Sequence, residues 1–426
     1  METYLISNPP LTASNVDAIF FPTRPELKLS ERRFSPNFQL KFTETAVRTK
    51  SFEQAADLVE IWSGCSMSSR HLGRIVEEVG SELVAQRDAE VDDFTHHRRE
   101  AEGTDPGHEL AVVFVDGGRV QIRDDTPGLG PGVHNESWKE DKIARLQTMT
   151  SPTHSEDPCP EPPLCFMKPK LFEEIRNRPT ASPEISKELQ AFLDSLASPT
   201  PVPTWQPKPL VRTCVGTMRP LEDFRWMVQA EAKRRHFYTA KKKAFVADGS
   251  AGNWTLRDRH FPDFVAILDF IHVSEYLHAA AKVLSSETLG CQWVREVWQG
   301  RAAGVIAAIR QALDVKGVRD ETLDEKHECF DLQRAWTYLS NNVGKMDYPR
   351  YRQEGLPTTS SLVESQIKEF NMRLKGTEKF WYQTSTEGVI QVICRTLGDE
   401  GPTLADHFEG RPSSPFRRTY NATIAI

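Results

Sequence analysis

The chain has 426 residues, 38% of them apolar and 27% charged, a balance that argues for a globular chain over a disordered one. No apolar run nears the roughly 18 residues that a membrane span needs, and the length suits roughly two to three domains. The net charge of −7 argues against a protein that binds DNA through its overall charge, although phosphate binding needs only a local basic surface.

In chain order, residues 1–50 read as irregular, with Pro9-Pro10 and Phe21-Pro22 as breakers. A helical pattern covers Ser51 to Trp62, a turn follows at Ser63-Gly64-Cys65-Ser66, and a second helix runs from Ser68 to about Gln86 with Leu72, Ile75, Val76 and Val79 on one face. Two helices around a glycine-containing turn fit a DNA-binding helix-turn-helix and equally an ordinary helical hairpin; this region is taken as 51–105. The run Leu110-Ala111-Val112-Val113-Phe114-Val115, stopping at Asp116-Gly117-Gly118, predicts a buried strand. Residues 119–123 suggest its hairpin partner and 142–149 a third strand. Of 28 prolines, 13 fall in residues 151–210, so this stretch reads as an insertion or mobile loop, with a short helix over 182–196. A helix over 222–237 precedes Ala244-Phe245-Val246-Ala247, a short apolar run that ends at Asp248-Gly249, and Val265 to Ile271 is another strand. Residues 274–345 read as mainly helical, 363–374 and 385–397 as two further helices, and 401–426 as a loosely ordered tail. The seven cysteines, without a Cys-x-x-Cys pair, read as reduced thiols. The opening Met1-Glu2-Thr3-Tyr4-Leu5 lacks signal-peptide features, so a cytoplasmic protein is expected.

Asp116 and Asp248 share one local setting, a carboxylate that follows a buried apolar run and precedes glycine. Such a residue points into the crevice at a strand edge, where ligands bind, although Asp-Gly is also a common turn dipeptide. Glu364 lies near the start of a helix whose Val363, Ile367, Phe370 and Leu374 share a face; Ser361-x-x-Glu364 is also a capping box, which would explain the glutamate without catalysis. Carboxylates of this kind suit hard cations such as Mg²⁺, two of which ~4 Å apart can promote phosphoryl transfer.

The order and local residues resemble DDE-type bacterial insertion-sequence transposases of the Kra group, related to the Mutator-like superfamily. The resemblance spans roughly residues 50–400. It rests on Val115-Asp116-Gly117-Gly118-Arg119-Val120 with Trp138-Lys139-Glu140-Asp141-Lys142; on Ala247-Asp248-Gly249-Ser250 with Asn253-Trp254, continuing to Ile267-Leu268-Asp269-Phe270-Ile271-His272; and on Gly355-Leu356-Pro357, Ser361-Leu362-Val363-Glu364-Ser365, Asn371-Met372-Arg373-Leu374-Lys375-Gly376 and Trp381. It implies an α/β, ribonuclease-H-like mixed sheet flanked by helices, with an N-terminal helical region. The catalytic core would run over 106–273 and 346–400, with a helical insertion at 274–345. Asp116 would end the first strand and Asp248 the fourth, and with Glu364 on a later helix they would hold Mg²⁺ or Mn²⁺ as catalytic residues. Asp269 and His272 fit the superfamily's accessory motif. The implied activity is DNA cleavage and strand transfer on element ends and target DNA, by a homo-oligomer associated with the nucleoid. A non-catalytic DNA-binding derivative and a nuclease that never joins strands are the alternatives.

Lys233, Arg234, Arg235, Lys241, Lys242 and Lys243, just before Asp248, and Arg373 and Lys375, after Glu364, are candidate phosphate contacts; solvated helix ends would explain the first group as well. His154, Cys159 and Cys165 fall short of the four ligands of a structural zinc site.

Overall fold

The computed structural model describes residues 34–98, 107–124, 135–168, 205–319, 322–375 and 381–410. Three helices lead: α1 (Pro36–Val47), α2 (Phe52–Ser63) and α3 (Ser69–Thr95). Each begins after a serine whose hydroxyl accepts a backbone N–H of the first turn, Ser35 from Phe38, Ser51 from Gln54 and Ser68 from His71; such a cap is worth about 1 kcal/mol. Helix α2 stops at Gly64, whose φ of 70° is left-handed and disfavours any residue with a β-carbon. Helix α1 falls within the segment 1–50 expected to be irregular. The breakers noted there lie upstream, while Ser35 and Pro36 start a helix that buries Phe42, Ala46 and Val47.

The sheet begins with β1 (Leu110–Asp124) and β2 (Asn135–Met149), antiparallel along their whole length. A single helical turn, α4 (Leu164–Met167), precedes β3 (Pro209–Thr217), which pairs antiparallel with β2. After α5 (Leu221–Arg234), β4 (Lys242–Ala247) returns parallel to β1; after α6 (Ala251–His260), β5 (Val265–Leu268) lies parallel to β4. The order β3-β2-β1-β4-β5, three antiparallel strands joined to two parallel ones and flanked by helices, is the ribonuclease-H-like α/β fold. Leu110 to Phe114 are all 0% exposed, as a strand covered on both faces requires.

Two strand boundaries differ from expectation. Strand β1 does not end at Asp116 but continues to Asp124, because Gly117 and Gly118 keep their partners, Lys142 and Asp141, on β2. Strand β2 likewise starts at Asn135 rather than 142, so the two predicted segments after Asp116 are one long hairpin. Only Leu110 to Val115 pair with β4, so the rest of the hairpin projects past the parallel strands. Strand β3 was not anticipated; its first residue falls in the Pro-rich window.

Helices α7 (Phe270–Val283), α8 (Glu287–Trp298), α9 (Ala302–Val315) and α10 (Phe330–Asn342) form the helical block between Asp248 and Glu364. The chain then runs through α11 (Tyr348–Gln353), α12 (Ser361–Leu374), α13 (Gln383–Leu397) and α14 (Leu404–Gly410). Helix α12 buries Val363, Phe370 and Leu374 at 0% exposure, roughly 1.5–3 kcal/mol for each side chain. The expected loose tail is ordered in part, since α14 buries Leu404 and Phe408; residues 411–426 lie outside the described residues. Nor is the Pro-rich stretch a mobile loop throughout. Trp298 Nε1 donates to the Cys159 carbonyl at 2.7 Å, Arg352 grips Asp157 at 2.7 and 2.5 Å, and the Phe166 ring packs on Phe270. The helix expected at 182–196 lies outside the described residues. Among the described residues no helix is long and apolar enough to cross a membrane.

Candidate active site

Val115 of β1 and Ala247 of β4 are register partners. Asp116, the next residue of β1, and Asp248, the first residue after β4, therefore lie at the same end of two neighbouring strands, close enough for the charge of Asp248 to act on Asp116. The face that Asp116 presents follows from alternation. Arg145, the partner of Phe114, donates to the Leu362 carbonyl of α12 at 3.0 Å, so Asp116, two residues beyond Phe114, points to the α12 side. Asp116 Oδ1 accepts the Gly117 N–H at 2.7 Å, and Asp248 Oδ1 accepts from Ser250 N at 3.1 Å and Asn253 Nδ2 at 2.8 Å. In each case Oδ2 has no hydrogen bond among the described residues. Burial pushes the Asp116 carboxyl up to about 6, with help from the charges of Asp248 and Asp269 and against the Gly117 N–H and His272.

Asp269 follows β5 and is 0% exposed. Its Oδ1 accepts from Ile271 N at 3.0 Å, as the cap of α7, and from Ser360 N at 3.0 Å; Oδ2 accepts from Ser360 Oγ at 2.5 Å. One carboxylate thus ties the end of β5 to the residue that starts α12, and burial holds its pKa above the ordinary carboxylate value. His272 lies 3.7 Å from Asp269 Oδ2 and 3.4 Å from Glu275 Oε2. Burial disfavours its charge, but the hydrogen bond to Glu275 and the charges of Asp269 and Asp116 outweigh it, and the imidazole is pushed up to about 10. His272 is thus set among three carboxylates that favour its charged form.

Glu364 lies in the first turn of α12, which packs on β1; its side chain lies outside the described residues. Ser360 precedes this helix and its hydroxyl donates to Asp269; the glutamate half of the alternative capping box, Glu364, lies outside the described residues. Gly249 abuts the ring of Tyr338, where a β-carbon would fall 2.2 Å from a ring carbon. Tyr338 stacks on Tyr276 at 3.9 Å, so helices α7 and α10 of the insertion wall in the Asp248 turn.

Apart from Lys375, the expected phosphate contacts are not gathered at this site. Lys242 pairs with Leu110 at the far end of β4, roughly 20 Å from Asp248 by strand rise. Its ammonium donates to Ser151 Oγ, Thr153 Oγ1 and the Glu354 carbonyl, and that of Lys243 to the Tyr238 carbonyl. Arg234 is held by Glu231. Arg235 is buried and donates to the carbonyls of Leu146 and Val211. Arg373 is 1% exposed, over the Phe52 ring at 3.8 Å, and donates to the Lys50 carbonyl. Lys233 and Lys241 are exposed, and Lys375 directly follows α12.

One site-proximal group carried no assigned role in the sequence. Asp141 is 0% exposed, and neither carboxylate oxygen has a hydrogen bond from another of the described residues. The strand containing it was expected to start at residue 142, one place too late to show it facing inward. Burial raises its pKa, against its own backbone N–H and the charge of Lys375. Among the described residues no three His, Cys, Asp or Glu side chains are grouped so as to hold a metal.

No protein-family model and no curated protein matches the chain. Among solved structures it is similar to the Drosophila P element transposase strand transfer complex, with 11% identity, a TM-score of 0.33, and coverage of 87% of this chain and 93% of that one.

Proposed function

We propose that the chain is a DDE-type transposase that cuts DNA at element ends and joins the freed 3′ ends to target DNA. The observation that carries this reading is the pair Asp116, in β1, and Asp248, directly after the parallel strand β4, each with one carboxylate oxygen that has no hydrogen bond among the described residues. The motif resemblance to Kra-group transposases adds Glu364 as the third acid.

Hard oxygen donors with spare lone pairs suit Mg²⁺ or Mn²⁺, and Mg²⁺ is commonly held by one or two carboxylates together with water and substrate phosphates. Asp116, Asp248 and Glu364 would hold it. Bound there, it would supply an activated water or hydroxyl nucleophile and stabilise the leaving oxygen. Asp269 keeps the start of α12, and so the backbone of Glu364, against the end of β5. His272, when protonated beside Asp269 and Glu275, would add positive charge for a phosphate. DNA ends and target would be the partners of a homo-oligomer acting at the nucleoid.

The test incubates plasmid carrying the element ends with the protein and Mg²⁺. Nicked and joined products are expected, and their loss in Asp116→Asn, Asp248→Asn and Glu364→Gln. Full activity of Asp116→Asn would refute the assignment. DNA binding without cleavage in Mg²⁺ or Mn²⁺ would indicate a non-catalytic DNA-binding protein, and cleavage without joining a nuclease.

A further inference from the structure

We propose that Asp141 supplies a carboxylate to a second divalent-cation position shared with Asp116 on the α12 face of the sheet. The proposal rests on the reading of Asp116 as a cation ligand and extends it to a residue outside the three acids.

Strand register carries the first step. Asp141 is the partner of Gly118, and Ile143 the partner of Asp116. Partners across an antiparallel pair share a face, and so do residues two apart on one strand. Asp141 and Asp116 are thus diagonal neighbours on one face, about 7–8 Å apart and somewhat closer at their β-carbons. Two carboxylates at that spacing can bracket one cation with Mg–O distances of about 2.1 Å.

The second step is the space itself. A β-carbon on Gly118 would fall 2.6 Å from Asp141 Oδ1 and 3.1 Å from Oδ2. The missing side chain at 118 is what lets the Asp141 carboxylate lie over that position, on the face that carries Asp116. A fully buried carboxylate without a hydrogen bond is costly unless something compensates its charge. Lys375 is near enough for its charge to act on Asp141, yet neither an ion pair nor a hydrogen bond joins them among the described residues. A cation bound between Asp141 and Asp116 would satisfy the orphaned oxygens.

Mn²⁺ titration followed by electron paramagnetic resonance, with thermal melts of the full chain with and without Mn²⁺, tests this in wild type, Asp116→Asn and Asp141→Asn. The expected result for Asp141→Asn is Mn²⁺ affinity at least tenfold weaker, or one Mn²⁺ fewer per chain, in line with the 10–100-fold effects typical of groups around a metal. Its metal-free melting temperature should be equal to or higher than wild type, and its Mn²⁺-induced rise smaller. If Asp116→Asn weakens Mn²⁺ binding while Asp141→Asn leaves it unchanged, the role of Asp141 is refuted and the cation site stands. If neither variant changes Mn²⁺ binding, the reading of Asp116 falls first. A metal-free Asp141→Asn that is less stable than wild type, with Mn²⁺ binding intact, would make Asp141 a structural partner of Lys375 and overturn the proposal.

Discussion

Replacing Asp269 with alanine removes the acceptor of three hydrogen bonds, from Ile271 N, Ser360 N and Ser360 Oγ. Loss of the α7 cap costs about 1 kcal/mol. Leaving the buried Ser360 N–H and hydroxyl unpaired costs about 1–3 kcal/mol for each group. Removing a carboxylate that burial already disfavours returns part of this, so the net loss should be roughly 2–4 kcal/mol. Asp269→Asn keeps an oxygen for both backbone donors, and its amide can donate to the Ser360 hydroxyl, so it should stay within about 1 kcal/mol of wild type. The two variants also separate by pH. A carboxylate whose folded pKa is raised contributes stability below its unfolded value, about 3.9, and loses it as pH rises through the folded pKa. Asp269→Asn should therefore gain on wild type as pH increases from about 4 to 7. Urea unfolding gives the stabilities, and hydrogen exchange at Ile271 and Ser360 shows whether the clamp opens. Asp269→Ala within about 0.5 kcal/mol of wild type, with exchange at Ser360 unchanged, would refute the claim that this carboxylate holds α12 in place.

Four further substitutions probe residues whose charge invites a surface role. Arg235→Met should cost about 2–4 kcal/mol, because the carbonyls of Leu146 and Val211 lose their buried donor. Lys233→Ala and Lys241→Ala should stay within about 0.5 kcal/mol, and equal melting temperatures for all three would contradict the burial of Arg235. Arg352→Ala leaves Asp157 with only the Cys159 N–H among the described residues and removes the cation over the Trp298 ring. A loss of about 3–5 kcal/mol is expected, with faster proteolytic cleavage within residues 151–168; an unchanged digestion pattern would show that the pair does not anchor that arm.

Much of the framework was legible because it is written in consecutive residues. The run from Leu110 to Val115 announces a strand buried on both faces, Ala244 to Ala247 a second one ending at Asp248, and the spacing of Val363, Ile367, Phe370 and Leu374 a helix with one apolar face; the structure has each of these. Such patterns depend on side-chain period and local turn chemistry, which neighbouring residues carry between them.

Tertiary structure alone decided the rest. Gly117-Gly118 looks like a stop until β2 pairs across it, and strand pairing belongs to two segments at once. That Asp116 stands beside Asp248 depends on the β1–β4 register, which no local window contains. The basic cluster before Asp248 was visible as charge, but whether a long cationic side chain reaches solvent or folds back onto backbone carbonyls, as Arg235 does, depends on which unpaired acceptors the fold leaves within its reach. Asp141, quoted only within the Trp138 to Lys142 stretch, was given no role for the same reason: a carboxylate becomes buried only once its neighbours across the sheet and the helix above it are in place.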